Sequence, residues 1–187
     1  MEVQEKIVAE LDGYQKIIDG AKQIVENYKP TIKINPNWPM VELKSICDVR
    51  DGTHDSPKYQ QKGFPLVTSK NVREGEIDFS TANLISKEDL YKINKRSRVD
   101  DGDIIMPMIG TIGNPILVKK DREFAIKNVA LIKFYKDSKI NRLYLKLTLE
   151  SDALTNHYLN RSNGSSQKFI PLGFIRNLQI PLPPLET

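Results

Sequence analysis

The sequence predicts an α+β protein, in which a long N-terminal coiled-coil helix precedes a mixed α/β globular domain. Two observations support this fold class. Apolar residues near the N-terminus recur at alternating spacings of four and three, whereas short apolar runs bounded by Gly, Pro, Asn or Asp begin near residue 40. We therefore expect a spacer helix over residues 1–30, a linker over 31–39, and a globular domain over 40–187 that ends in a proline-rich tail.

The apolar stripe of the first segment follows the 3.5-residue repeat of a coiled-coil seam. Its members are Ile7, Leu11, Tyr14, Ile18, Ala21, Val25 and Tyr28. About 27 residues at about 1.5 Å each give a rod of roughly 40 Å. Because an isolated helix of this length is marginal in water, the seam predicts a partner helix, and packing on the chain's own domain is the alternative. Gly13 and Gly20 lie off the seam, either for close approach of a second surface or as tolerated exposed glycines.

The globular domain is predicted to alternate short strands with a few helices. The expected strands are Phe64–Val67, Ile77–Phe79, Asp103–Met108, Ile116–Val118 and Phe124–Phe134. One helix is expected to begin at Ser86, with Asp89 three residues on as in a capping box. A second is expected over residues 141–154, where leucines share one face, and a shorter third is expected near Pro171.

The basic surplus of the chain lies in its globular domain. The composition is globular, with 39% apolar and 28% charged residues, and the net charge is +4. Residues 2–29 hold four lysines against six acidic residues, so the rest of the chain carries a net +6. This surplus favours a polyanionic partner, although many basic proteins bind none.

The expected cellular compartment of the protein follows from the apolar runs and the single cysteine. The longest apolar runs are far too short to cross a bilayer, and no basic-then-apolar leader precedes the first helix. Cys47 cannot form an internal disulfide and suits a reducing compartment. We therefore expect a cytoplasmic protein with no membrane partner.

The motifs of common enzymes are missing from the sequence. Gly110-Thr111-Ile112-Gly113 lacks the lysine and the length of a phosphate-binding loop, and two histidines with one cysteine cannot build a usual zinc site. Asp100, Asp101 and Asp103 surround Gly102, which favours a solvated turn over the alternative of a metal cluster. We therefore expect no enzymatic activity, no catalytic residue, no metal ligand and no cofactor in this chain.

Four polar segments of the domain carry the side chains that grip phosphates and read base edges. They are residues 68–73, the turn at 110–114, the Lys127-Asn128 pair inside an apolar run, and the loop at 161–168. Ordinary turn and capping hydrogen bonds are the alternative for the first and third segments, and a satisfied polar pair within the fold is the alternative for Lys127-Asn128. Residue chemistry alone predicts a basic α+β binding domain. A protein-interaction module and a nonspecific nucleic-acid binder remain as alternatives.

Several segments together resemble the specificity (S) subunit of type I restriction–modification systems. The resemblance is carried by Asp51-Gly52-Thr53-His54-Asp55-Ser56-Pro57, Pro65-Leu66-Val67-Thr68-Ser69-Lys70-Asn71, Gly110-Thr111-Ile112-Gly113, Ala125-Ile126-Lys127-Asn128-Val129-Ala130, Gln167-Lys168-Phe169-Ile170 and the tail Pro181-Leu182-Pro183-Pro184-Leu185-Glu186. The tail would run naturally into the first helix, as in one repeat of a longer protein. An intact S subunit is similar to two such domains and two helices, so we expect half of one or a natural half-sized version.

The resemblance implies that residues 40–187 form a DNA target recognition domain that reads one half of a bipartite site. It also implies that the helix pairs with a second helix, from another repeat or another copy, as a spacer between half-sites. Modification subunits with S-adenosylmethionine and restriction subunits with ATP and Mg²⁺ would be the partners, in a prokaryotic cytoplasm. The expected DNA contacts are Lys58, Ser69, Lys70, Asn71, Arg73, Lys127, Arg161, Ser166, Gln167 and Lys168.

Overall fold

A computed structural model describes most of the chain and divides it into two compact units, Met1–Thr31 and Ile32–Thr187. The described residues are 2–28, 34–73, 75–110, 112–161 and 169–184, without the side chains of 159–161. Across these ranges, the helices lack the combination of length and apolarity that crossing a bilayer requires.

The first unit is the single helix α1 (Glu2–Asn27), and none of its residues is buried. The bulky members of the predicted seam are 48–77% exposed. Val3, Ile17 and Ile24 widen the stripe on one flank and are equally exposed. An apolar face wider than a strict seam is typical of a helix that packs against more than one neighbour.

The second unit contains five further α-helices and eleven strands within its described residues. The helices are α2 (Leu43–Ile46), α3 (Lys87–Ser97), α4 (Arg142–Glu150), α5 (Asp152–Arg161) and α6 (Leu172–Arg176). The strands are β1 (Met40–Glu42), β2 (Cys47–Asp51), β3 (Phe64–Val67), β4 (Val72–Arg73), β5 (Glu76–Ile77), β6 (Asn83–Ile85), β7 (Ile104–Pro107), β8 (Ile116–Leu117), β9 (Ala125–Ile126), β10 (Val129–Phe134) and β11 (Gln179–Pro181). This mixture of helices and strands behind a long helix confirms the predicted fold class.

The strands form two main sheets. The larger is antiparallel with strand order β2-β10-β7-β8, and the smaller has the order β6-β3-β9. In the smaller sheet β3 pairs antiparallel with β6 and parallel with β9. Two short ribbons, β1-β11 and β4-β5, complete the domain.

The larger sheet is buried on both faces, as strand β10 shows. Ala130 and Ile132 pack into one apolar core with residues of α2, α4 and α6. Val129 and Leu131 point to the opposite face and pack with Val67 and other residues near the smaller sheet. A strand buried on both faces reads as a continuous apolar run, which explains why the sequence pattern here does not alternate.

Two predictions are wrong, because the structure divides one predicted strand and one predicted helix into two elements each. The run Phe124–Phe134 breaks at Lys127-Asn128, where the chain leaves the smaller sheet and enters the larger one. The helix expected over 141–154 ends at Glu150, and a new helix begins at Asp152.

Several local predictions are confirmed. The strand at Phe64–Val67 has the expected bounds, and the Ser86 side chain accepts a hydrogen bond from the Asp89 amide as the cap of α3. Strand β7 lies inside the expected 103–108 range. Pro171 is the N-cap residue of the short helix α6.

The acidic residues near Gly102 form a turn that is held by lysines. Lys133 Nζ lies 2.8 Å from Asp100 Oδ2 and 2.5 Å from Asp103 Oδ2. The Asp101 carboxylate accepts a hydrogen bond from the Lys120 amide. Within the described residues, no group of three or more His, Cys, Asp or Glu side chains could hold a metal ion.

Candidate nucleic-acid interface

The break between β9 and β10 is bonded to two other polar segments of the domain. Asn128 has a φ of 54°, in the left-handed region, where asparagine is one of the few tolerated residues other than glycine. The Lys127 amide donates to the Val67 carbonyl at 2.8 Å, and the Asn128 amide donates to the Thr53 carbonyl at 3.3 Å. Contacts from two distant segments therefore hold this turn in place.

One of these segments is the loop over residues 51–57, which packs directly on the break. A Cβ at Gly52 would lie 2.4 Å from the Ile126 carbonyl oxygen, so only glycine fits there. The Lys127 ammonium group donates to Ser56 Oγ at 2.6 Å. The two motifs that carried the family resemblance in this region thus form one physical unit.

His54 links the loop to the break through both nitrogens of its ring. Nδ1 lies 2.9 Å from Asn128 Oδ1, and Nε2 lies 2.7 Å from Asp51 Oδ2. The guanidinium of Arg96 bonds to the other Asp51 carboxylate oxygen and to the Gly52 carbonyl. The hydrogen bond to Asn128, followed by the one to Asp51, raises the pKa of His54 above its ordinary value. Both acceptors are satisfied together when both ring nitrogens carry protons.

The second segment that faces the break is the turn from Thr68 to Asn71, which follows β3 directly. Its 3₁₀ helix spans Ser69–Asn71, and the Ser69 hydroxyl lies 3.5 Å from the Asn128 carbonyl. The Asn71 side chain is only 3% exposed and bonds to Thr68, Asp78 and Thr81. The geometry thus assigns Asn71 to holding the turn, in correction of the expected DNA contact, because a buried and fully paired amide has no group left to offer a ligand.

The break, the turn and the ends of neighbouring strands together line a concavity of ≈ 410 Å³. Its lining residues are Tyr59, Thr68, Ser69, Lys70, Asn83, Ile109, Gly110 and Asn128. The side chains of Tyr59, Lys70 and Asn83 are exposed and make no hydrogen bond or ion pair with other described residues. This concavity, which we call the strand-end concavity, therefore offers donors and acceptors that bond to no other described residue.

The residues predicted from sequence to contact DNA fall into three groups. Ser69 and Lys70 line the strand-end concavity, and Lys58 is exposed beside Tyr59. Lys127 is half-buried and bonded to Ser56, and the exposed Arg73 donates through Nε to the Lys70 carbonyl. The side chain of Arg161 and all of Ser166, Gln167 and Lys168 lie outside the described residues. All of these DNA contacts remain predictions, because no observation of the structure tests them.

Sequence reasoning left Tyr59 and Asn83 of this surface out of the expected contacts, together with His54, which bonds to Asn128. Asn128 was also absent from the expected contacts, although it lies in one of the four polar segments. An exposed tyrosine in a polar stretch is a usable signal for Tyr59, since aromatic side chains at surfaces often contact ligands. Nothing local marks Asn83, and the left-handed backbone of Asn128 depends on contacts with segments far away in the sequence.

A second concavity, of ≈ 460 Å³, lies on the other side of His54. It is lined by the loop residues 53–57 and by Asp89, Lys92, Ile93, Arg96 and Ser97 near α3. Lys92 makes no ion pair with the described residues, whereas Arg96 is bonded to Asp51. With Asp55 and Asp89 also present, this surface has mixed charge and favours no anion as clearly as the strand-end concavity does.

A sequence model of the type I restriction modification DNA specificity domain matches residues 35–187. This match covers most of the chain, so the protein belongs to that family. Among curated relatives, the chain is 27% identical to the type I restriction enzyme EcoBI specificity subunit of Escherichia coli, over 87% of this chain and 34% of that protein. It is 26% identical to the MjaVIII specificity subunit of Methanocaldococcus jannaschii, over 82% of this chain and 37% of that protein. The chain thus spans about a third of the length of these relatives.

Solved structures show the same fold at low sequence identity. The chain is similar to the HsdS subunit from Thermoanaerobacter tengcongensis with a TM-score of 0.56 and 15% identity, covering 98% of this chain and 47% of that one. It is also similar to a type I restriction-modification S subunit from M. genitalium, with a TM-score of 0.53, 14% identity, and coverage of 83% and 37%.

Proposed function

We propose that this chain is a specificity component that recognises one half of a bipartite DNA site for a type I restriction–modification complex. The observation that carries the proposal is the strand-end concavity, where the side chains of Tyr59, Lys70 and Asn83 bond to no other described residue, within a domain of the DNA specificity family. The net +6 outside the first helix supports a polyanionic ligand. Phosphate contacts from Lys58 and Lys70 position the duplex, and neutral polar groups in the concavity read the bases.

The helix α1 supplies the second part of the proposal. Its uncovered apolar seam pairs with a matching helix, from a second copy or from another part of a longer subunit, and so sets the distance between half-sites. The chain itself is non-catalytic. Its partners are modification subunits that use S-adenosylmethionine, and restriction subunits that use ATP and Mg²⁺.

Selection from a random duplex pool tests sequence recognition, with the chain supplied alone and then with its modification subunit. We expect enrichment of a short half-site, or of two copies at fixed spacing, by several kcal/mol over random duplex. Enrichment only with the partner would mean that recognition needs the assembly, which the proposal accommodates. A folded chain that enriches no sequence in either setting contradicts the proposal and favours a protein-interaction module.

Sedimentation of a seam variant tests the role of the helix. Leu11→Lys combined with Ile18→Lys places two charges in the seam, so we expect self-association to be lost while the domain stays folded. Gln23→Lys combined with Asn27→Lys adds the same charge away from the seam and is the matched control. A wild-type chain that is monomeric, or a seam variant that sediments like the wild type, contradicts self-pairing.

A further inference from the structure

Asn128 has a backbone conformation that the fold maintains at a cost. Its φ of 54° makes it the one non-glycine residue with positive φ in the described part of the chain. Such conformations persist when surrounding contacts over-determine them, and they cluster where proteins bind ligands. Here the surrounding contacts come from Thr53 and Ser69.

The side chain of Asn128 is held as firmly as its backbone. Its Oδ1 lies 2.9 Å from His54 Nδ1, and the ring is fixed on its other side by Asp51, which in turn is bonded to Arg96. Four residues thus form a chain of contacts that ends at the amide of Asn128. A recognition group needs such support, because a side chain that is free to rotate discriminates poorly.

The amide retains the hydrogen-bonding capacity that base recognition requires. Oδ1 has two lone pairs and uses one for His54, while Nδ2 donates to no other described residue. The residue is half-buried and faces the strand-end concavity, as do Tyr59 and Asn83. Asparagine pairs with adenine through two bonds, accepting from N6 and donating to N7 on the major-groove edge.

We propose that Asn128 reads one adenine of the half-site at the strand-end concavity, with His54 as the residue that positions its amide. This inference rests on the proposed function, and it assigns one base of the half-site to one residue of the protein. His54 does not touch the base and acts only through the Asn128 side chain.

The test compares the wild type with Asn128→Gly and Asn128→Asp, each bound to its modification subunit, in selection from a random duplex pool. Glycine keeps the left-handed backbone and removes the amide, so we expect preference to vanish at a single position, by about 5- to 150-fold, with the other positions unchanged. Aspartate has only acceptors, so we expect preference at that position to move from adenine towards cytosine, whose N4 group donates.

An atom-level test follows from the same geometry. Replacing the adenine at that position by 7-deazaadenine removes the N7 acceptor, and should weaken binding by the wild type but not by Asn128→Gly. His54→Ala should lower the preference at the same position and have no further effect there in the Asn128→Gly background. Retention of that preference in the His54→Gln variant, whose amide can still donate to Asn128, distinguishes positioning from a general loss of structure.

The outcomes separate this inference from the proposed function. A wild type that enriches no sequence contradicts the proposed function, and the inference with it. A wild type that enriches a half-site while all Asn128 variants keep the same preferences overturns the inference alone. Thermal unfolding of each variant excludes misfolding as the cause of any change.

Discussion

Asn71 and Asn128 are the same residue type in two neighbouring turns, and the structure uses them in opposite ways. Asn71 is buried, and its amide bonds to Thr68, Asp78 and Thr81. Asn128 is half-buried in a left-handed conformation, and its amide makes one hydrogen bond, to His54, among the described residues. Both followed apolar runs in the sequence.

The difference teaches how to separate structural from functional polar residues. A buried polar group is tolerated only when its hydrogen bonds are made within the fold, so complete pairing marks a structural role. A polar group that is held in a costly backbone conformation and still has unused donors marks a ligand site. By this criterion the turn at Thr68–Asn71 is a structural support, and the break at Lys127-Asn128 is where we propose that DNA is read.

The comparison between Asn71 and Asn128 predicts its largest effect on the free energy of unfolding. Asn71→Ala leaves the Thr68 amide without its partner and should lower the free energy of unfolding by about 2–3 kcal/mol. Asn128→Gly should lower it by less than about 1 kcal/mol, because glycine accepts the same φ. Urea unfolding of both variants measures the difference, and equal losses would mean that both residues are structural.

A smaller effect is expected on DNA binding from Lys70, which lines the strand-end concavity together with Asn128. Lys70→Ala should weaken binding about equally for all sequences and reduce the slope of log K against log salt by about 1, as for one lost phosphate contact. Lys136→Ala removes an equal charge from an exposed position outside the strand-end concavity and is the control. A change of sequence preference in Lys70→Ala would instead place this lysine on a base.

The smallest expected effect is on the pH dependence of stability to which His54 contributes. Its pKa is raised in the folded state, so its stabilising contribution is fully present below the ordinary histidine pKa and is lost as pH rises through the folded value. The contribution should stay below about 1 kcal/mol, since the ring is largely exposed and its ion pair is screened.

The contribution of His54 is measured by unfolding the wild type and His54→Ala between about pH 5.5 and about 8.5, a window that spans the ordinary histidine pKa. Stability of the wild type should fall relative to the variant as pH rises. Identical pH profiles would show that the contacts with Asn128 and Asp51 do not favour the protonated ring, which would weaken the contrast between the two turns.

The local features of the fold were predictable from sequence. The spacing from Ile7 to Tyr28 indicated α1, the run Phe64–Val67 indicated β3, and the Ser86 side chain indicated the start of α3. Each depends on residues within a few positions of one another, so periodicity and capping chemistry suffice. Strands of two or three residues, such as β6 and β11, give too short a pattern to detect.

The sequence by itself determined the α+β class, the apolar seam of the first helix and the segments in which polar side chains follow buried strands. Only the tertiary structure decided which of those side chains are free. Gly52 packs against the Ile126 carbonyl beside the left-handed turn at Asn128, and Asn71 bonds to partners as far along the chain as Thr81. Hydrogen bonds between distant segments consume some polar groups and leave others for a ligand, and no local pattern records that distribution.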